Sequence, residues 1–345
     1  MNRPCIAHII DDPAVGGVTR VIERMAVSAL SHHYDFETVV MDSTSFRPPF
    51  LHHDAMVVHY TLSWRKLPHL ALLKAANPHT PLILAEHSYS QAFEDLHVPS
   101  KARYHAMLRL AYGLADHVVA NSEAVGQWML RHRLVAEGKL SVIRQSWDIS
   151  DLTSLPLPIH GKAQPLVVGA YGRFCGQKGF EHLIRAMALL SPQEAILRLG
   201  GMGPDENKLR QLADGLGNVT FCGQVKDLAG FLSGCNVVAI PSMFEPFGLV
   251  CLEAKAAGRP VIASAVDGLV EQVSGNGLLV PPAAPHALAD AIRQMARRDL
   301  GKMGAIGRQD ARGSWDRFMQ QWTHLYSKLL PQMPLSLREP HELAR

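Results

Sequence analysis

Residues 241–264 read PSMFEPFGLVCLEAKAAGRPVIAS, and the rest of the chain is best read outward from them. A β-branched apolar run ends at Ile240. Pro246 suits the first turn of a following helix, with Glu245 just before it, so a helix is predicted over 246–257 and the next strand over 261–264. The backbone N–H groups of Phe247, Gly248 and Leu249 are then unpaired donors at a positive helix end. An anionic or hydroxyl-rich ligand fits such a place. Glu253 follows two turns along, and two carboxylates could divide the gripping of a polyhydroxyl ligand. A helix cap and a solvated helix residue are the alternative reading of the same pair.

On either side the chain alternates short β-branched runs with longer 3.6-period segments, the pattern of βαβ units and a parallel sheet. Strands are predicted over 5–10, 36–41, 55–60, 82–86, 117–120 and 140–144, with helices over 18–30, 65–76, 100–114 and 123–133. The second half repeats the rhythm: strands over 166–171, 196–199, 219–222, 237–240, 261–264 and 277–280; helices over 179–190, 205–214, 225–232, 246–257 and 285–297. Between the halves, 149–165 carries three prolines that break both periodicities and reads as a linker. The expected organisation is an N-terminal domain over 1–148, a second over 166–312, an amphipathic aromatic helix over 313–330 and a flexible tail over 331–345. Two doubly wound α/β domains facing a central cleft follow, with ligands at the C-terminal strand ends.

Composition narrows the classes. The 345 residues make roughly two domains at about 150 each. With 47% hydrophobic and 19% charged residues, wholesale disorder is excluded. The five cysteines lie far apart, without CxxC or metal-ligand spacing, which fits a reducing, cytoplasmic setting. No apolar run approaches the ~18 residues of a spanning helix. The run from Cys5 to Ile10 is too short for a signal peptide and reads as the first strand. A net charge of +3 is too weak for a nucleic-acid partner. Thirteen of the 18 histidines fall in the first 150 residues, without HExxH or similar spacing, and most read as surface residues.

Three further loops carry chemistry. Gly172-Arg173 and Lys178-Gly179 follow a strand and open a helix; Arg173 as a fork and Lys178 as a point charge could both reach a diphosphate, or be two surface cations. Val15-Gly16-Gly17-Val18 lets backbone approach a ligand after the first strand. Neither it nor Gly200-Gly-Met-Gly203 is GxGxxG, so a dinucleotide-dependent oxidoreductase has little support. His87, in Ala85-Glu86-His87-Ser88, ends a strand pointing into the cleft, placed to hydrogen-bond a hydroxyl or to be a satisfied structural histidine.

Taken together and in order, these motifs resemble the retaining, nucleotide-sugar-dependent glycosyltransferases of family 4, with the GT-B fold. The resemblance covers nearly the whole chain and is strongest over 166–297. It runs through Gly172-Arg173, Lys178-Gly179, Gly201-Met-Gly203-Pro204, Glu245-Pro-Phe-Gly, Glu253-Ala and Asn276-Gly-Leu-Leu-Val280. It implies that Arg173 and Lys178 bind the donor diphosphate, that Glu245 contacts the donor sugar, and that Glu253 holds the ribose. Phe247, Gly248 and Leu249 would add backbone donors, with Gly203 and Val225 also on the donor side. Gly17 would line the phosphates, His87 would lie by the reacting sugar, and the last helix would pack on the first domain. It implies a nucleotide sugar as substrate, no cofactor and no metal; Asp11-Asp12 is not a DxD motif. Gln145-Ser146, Arg20 and Lys255 depart from the family's pattern, and Lys255 reads as a surface change.

The resemblance suggests transfer to an acceptor hydroxyl in bacterial exopolysaccharide, capsule or lipopolysaccharide assembly. Residues 96–115 carry Lys101, Arg103 and Arg109 with Tyr104, Met107, Leu108, Ala111 and Ala115 at helical spacing. That helix either rests peripherally on an anionic membrane near a saccharide or lipid-linked acceptor or packs on the core with a solvated face. The competing functions are a nucleotide-sugar epimerase on the same fold and a catalytically degenerate scaffold.

Overall fold

The β-branched runs become strands with both faces covered, as parallel sheets require. The computed structural model describes residues 3–12, 17–161 and 164–330. It separates into two units, Met1–Trp147 with Gly313–Arg345, and Asp148–Arg312.

Unit 1 has strands β1 (Cys5–Ile10), β2 (Asp35–Val40), β3 (Ala55–Val58), β4 (Leu82–Glu86), β5 (His117–Ala120) and β6 (Leu140–Val142). All pair in parallel, in the order β2-β1-β3-β4-β5-β6. Its helices are α1 (Gly17–Ala26), α2 (Leu67–Ala76), α3 (Gln91–His97), α4 (Lys101–Leu114) and α5 (Glu123–Arg131).

Unit 2 opens with a single turn, α6 (Ser150–Thr153). Its strands are β7 (Leu166–Arg173), β8 (Ala195–Met202), β9 (Val219–Gly223), β10 (Val237–Ile240), β11 (Val261–Ser264) and β12 (Gly277–Val280). The order is β12-β11-β10-β7-β8-β9, again all parallel. Its helices are α7 (Phe180–Met187), α8 (Glu206–Leu212), α9 (Leu228–Ser233), α10 (Leu249–Ala256), α11 (Asp267–Gln272), α12 (Pro285–Met295) and α13 (Leu300–Ala311); α14 (Ser314–Leu329) returns to unit 1. Read from β9, the order is the doubly wound 3-2-1-4-5-6 arrangement. Successive strands leave in opposite directions at β7 and β10, so a crevice opens at their carboxyl ends.

Several expectations need correction. The helix predicted from Pro246 begins at Leu249, because Gly248 at φ 98° breaks the helical path. The helix expected from Val225 begins at Leu228, where the Asp227 carboxylate caps Gly230 N–H at 2.9 Å. Helices α3, α6, α11 and α13 have no counterpart in the sequence reading. Much of the expected linker is bonded into unit 2: Arg308 donates to Leu155 O at 2.6 Å, Arg259 to Pro156 O at 2.9 Å and Asn236 to Ile159 O at 3.3 Å. Lys255 is buried, not a surface residue, since α10 is enclosed from Cys251 to Ala256 and the lysine pairs with Asp310 of α13. The expected flexible tail over 331–345 lies outside the described residues, as do Val15 and Gly16.

The histidine reading also changes. Only His32, His52, His79 and His97 of the thirteen in the first half are exposed, while His8, His69 and His117 are buried. Helix α4 turns Tyr104, Met107, Leu108 and Ala111 into the unit 1 core. Its cations have protein partners: Lys101 pairs with Asp95, Arg103 lies 5.8 Å over the Trp64 ring, and Arg109 bonds His132 O and Arg133 O. Among the described residues no helix is long and apolar enough to cross a membrane.

Helix α14 is a structural part of unit 1. Phe318, Trp322, Leu325 and Tyr326 are buried on one face, and Tyr326 meets Tyr34 at 5.1 Å between ring centroids. Trp322→Ala is expected to destabilise unit 1 by about 3–5 kcal/mol and leave the unit 2 transition in place. Calorimetric unfolding, which sees both units, reads this, and an unchanged unit 1 transition would contradict it.

Candidate active site

The crevice of unit 2 gathers most of the residues singled out in the sequence. Lys178 lies at the end of the short turn after β7, and Glu245 lies in the loop after β10. The strand order brings them together across 67 residues, with Lys178 Nζ 2.6 Å from Glu245 Oε2. Neither side chain is fully exposed. Ser242 Oγ donates to the same carboxylate oxygen at 2.9 Å. Sequence reasoning had given Lys178 and Glu245 separate partners; the structure makes them one ion pair.

The loop that carries Glu245 is tied on both sides. Glu245 N–H donates to Asp267 Oδ2 at 3.0 Å, and Gly268 N–H donates to Glu245 O at 3.1 Å. The Gln272 amide donates to Phe247 O at 2.6 Å and Gly248 O at 3.3 Å. On the other side, Met243 N–H donates to Gln177 O at 2.8 Å, joining this loop to the β7 loop. Gly179, at φ 62°, comes so close to it that a Cβ would stand 2.1 Å from Pro241 O. The amides of Phe247, Gly248 and Leu249 have no acceptor among the described residues. They remain donors although the helix starts later than predicted.

Glu253, in the middle of α10, is buried rather than solvated, and Tyr171 OH donates to its Oε2 at 2.7 Å. Burial and the adjoining carboxylate push the Tyr171 phenol well above its ordinary range, so it stays a donor. Arg173, at the end of β7, is exposed, with no ion pair or hydrogen bond to a described residue. Gly203 follows β8, with Phe174 O 2.4 Å from where its Cβ would be, and Val225 follows β9 with its side chain over Gly200. The crevice thus holds one free guanidinium, one lysine–carboxylate pair, a fixed second carboxylate and a run of unpaired amides. That set can bind a diphosphate flanked by hydroxyl-bearing rings.

Two predicted residues lie in unit 1. Gly17 is the exposed first residue of α1. His87 follows β4 and belongs to a row of three imidazoles. His8 Nδ1 is 2.8 Å from His59 Nε2, and His59 Nδ1 is 2.9 Å from His87 Nε2. His59 and His87, with Asn121, Gln145 and Trp322, line a cavity of about 20 Å³. Beside it, Glu86 accepts from Ser88 N–H, Tyr89 N–H and Tyr112 OH. Ser242, Asp267, Gln272, Tyr171, His8 and His59 escaped the sequence reading. The only signal for His59 was its place at the end of a predicted strand.

Comparison with known proteins follows this geometry. Residues 165–298 match the family described as glycosyl transferases group 1, and residues 50–150 match glycosyltransferase family 4. An uncharacterized glycosyltransferase of Methanocaldococcus jannaschii is 36% identical over 175 residues, 47% of this chain and 45% of that protein. The lipopolysaccharide core biosynthesis glycosyltransferase LpsD of Rhizobium meliloti is 39% identical over 138 residues, 39% of this chain and 40% of that protein. The chain thus spans about half the length of the curated relatives it matches. The crystal structure of Anabaena HepE in complex with UDP superposes with a TM-score of 0.73 at 21% identity, covering 94% of this chain and 100% of that one. This likeness carries the fold, GT-B, with its two Rossmann-like α/β domains.

The histidine row has a consequence for stability. Burial lowers the His8 pKa to about 3 and the His87 pKa to about 4, and holds His59 well below its ordinary value. The unfolded chain titrates near 6.5, so below that pH it binds more protons than the folded chain and stability falls as the pH falls. The slope is about 1.4 kcal/mol per pH unit for each histidine, between pH 6.5 and the folded pKa values. Calorimetric melting of the protein should show unit 1 losing stability from pH 7 to pH 5, with a shallower slope in His8→Phe. Equal slopes would count against it.

Proposed function

Because the chain belongs to the group 1, family 4 glycosyltransferases, we propose that it moves a hexose-type sugar from a nucleotide-diphosphate donor, UDP- or GDP-linked, to an acceptor hydroxyl with retention of configuration. The observation that carries this reading is the Lys178–Glu245 pair, set 2.6 Å apart at the point where the unit 2 strand order reverses. In the proposed complex Arg173 and Lys178 meet the diphosphate, one as a fork and one as a point charge. Glu245 and the amides of Phe247, Gly248 and Leu249 face the sugar, Glu253 holds the ribose hydroxyls, and Gly203 and Val225 border the donor. His87 offers a hydrogen bond to a sugar hydroxyl, and Gly17 offers close backbone approach to phosphate.

In the proposed step the bond from the anomeric carbon to the leaving phosphate oxygen breaks. The acceptor oxygen bonds to that carbon from the same face, and its proton passes to the departing phosphate oxygen. Arg173 and Lys178 stabilise the negative charge that develops there, so neither a metal nor a cofactor is required. The relative from Rhizobium meliloti is named for lipopolysaccharide core biosynthesis. It supports bacterial exopolysaccharide, capsule or lipopolysaccharide assembly at the cytoplasmic face, with a saccharide or lipid-linked saccharide acceptor. Peripheral membrane contact through Lys101, Arg103 and Arg109 belongs to this reading, and salt-sensitive binding to anionic vesicles is its check.

HepE holds UDP in its crystal, which makes UDP the first nucleotide to try. A thermal-shift panel with UDP, GDP, ADP, CMP and dTDP, with magnesium or with EDTA, tests the donor site. A ligand at 100 times its Kd adds about 2.7 kcal/mol, a shift of several degrees for domains of this size. A selective shift with UDP or GDP that survives EDTA is expected; no shift with any of the five would turn the reading toward a degenerate scaffold. Glu245→Ala should keep the fold and lower turnover by about 10²–10³-fold. Unchanged turnover would remove Glu245 from the site.

A further inference from the structure

The three imidazoles of unit 1 constrain one another. Each neutral ring carries one N–H and one bare nitrogen. The His8–His59 and His59–His87 contacts each join a Nδ1 to a Nε2, at 2.8 and 2.9 Å. Both hydrogen bonds therefore form only if all three rings are in the same tautomer. Any mixed state sets N–H against N–H or lone pair against lone pair. Neighbouring rings are near-parallel, with interplanar angles of 19° and 17°.

The two ends of the row decide between the uniform states. At one end His8 Nε2 is buried without a partner among the described residues, with the Phe36 ring 5.6 Å from the imidazole. Either uniform state leaves one buried N–H without a described partner, at His8 Nε2 or at His87 Nδ1. Such a group is costly, and it is better placed where a cavity and a polar acceptor adjoin it than against the Phe36 ring. At the other end is His87 Nδ1, also without a described partner. Its neighbour is Asn121, because Glu86 and Ala120 are register partners and His87 and Asn121 follow them. Asn121 is buried, its Oδ1 has no described partner, and it lines the same cavity as His87.

We infer that His8 and His59 are positioning residues that lock His87 as the Nδ1–H tautomer. His8 Nδ1–H donates to His59 Nε2, His59 Nδ1–H donates to His87 Nε2, and His87 presents its remaining N–H as a donor. With Asn121 Oδ1 as acceptor, the two form a donor–acceptor pair matched to one hydroxyl group of a polyhydroxyl ligand. His87 then acts as a hydrogen-bond donor rather than as a base. The identity of the hydroxyl as a sugar's rests on the proposed function; the tautomer does not.

The test is a long-range proton–nitrogen spectrum of the full chain labelled with ¹⁵N-histidine at pH 7.5. The expected result is the Nδ1–H pattern for His8, His59 and His87 alike, with His87 moving to a mixed pattern in His59→Phe. An Nε2–H or doubly protonated His87 in the parent protein overturns the inference, with no variant needed. A His87 pattern unchanged by His59→Phe overturns the positioning role. The nucleotide panel reads unit 2 and this spectrum reads unit 1, so failure of either leaves the other result standing.

Discussion

An open parallel sheet must reverse its winding somewhere, and the site in unit 2 depends on that reversal. Strands β7 and β10 are hydrogen-bonded neighbours whose chains depart in opposite directions. No crossover helix can cover the gap at their carboxyl ends. Every residue that follows either strand is therefore delivered to one crevice, however far apart the two lie in sequence. Lys178 and Glu245 meet for this reason, and Arg173 and the amides after Phe247 lie on the same rim.

The crevice is held by the backbone as much as by the side chains. Asp267, Gly268 and Gln272 of α11 bind Glu245 N–H, Glu245 O, and the carbonyls of Phe247 and Gly248. Gly179 allows the β7 loop to touch Pro241 O. Those bonds spend the local carbonyls and leave the amides unpaired, so the rim is a cluster of donors aimed at whatever enters. Tyr171 fixes Glu253 in the same way. Preorganised donors of this kind need no rearrangement when charge develops beside them.

Unit 1 solves a different problem. Its polar residues at the strand ends are buried behind Trp322 and the α1 face, where an unpaired polar atom is costly. The histidines answer by bonding to one another, and Glu86 by collecting two backbone amides and a phenol. α14 closes the aromatic side, so Ser314–Leu329 belongs to the fold of unit 1.

Much of this was legible in the sequence, because it follows from local periodicity. Runs such as Val237–Ile240 and Leu82–Glu86 have the length and branching of buried strands, and their alternation with helices dictates parallel sheets. The loop chemistry of Arg173, Lys178, Glu245 and Glu253 was readable as well, since loops after strands carry sites in such sheets. What periodicity cannot express is which strand lies beside which. The meeting of Lys178 with Glu245, the Tyr171 bond to Glu253, the pairing of buried Lys255 with Asp310 and the row of His8, His59 and His87 all join residues on different strands, helices or loops. The start of α10 was missed for a related reason: Pro246 is locally suited to a first turn, but α11 holds residues 245–248 out of the helix. Local sequence determined the elements and the chemistry each could offer. Only the strand order and the packing of α11 and α14 decided which groups share a site, because those contacts are made between segments that do not see one another along the chain.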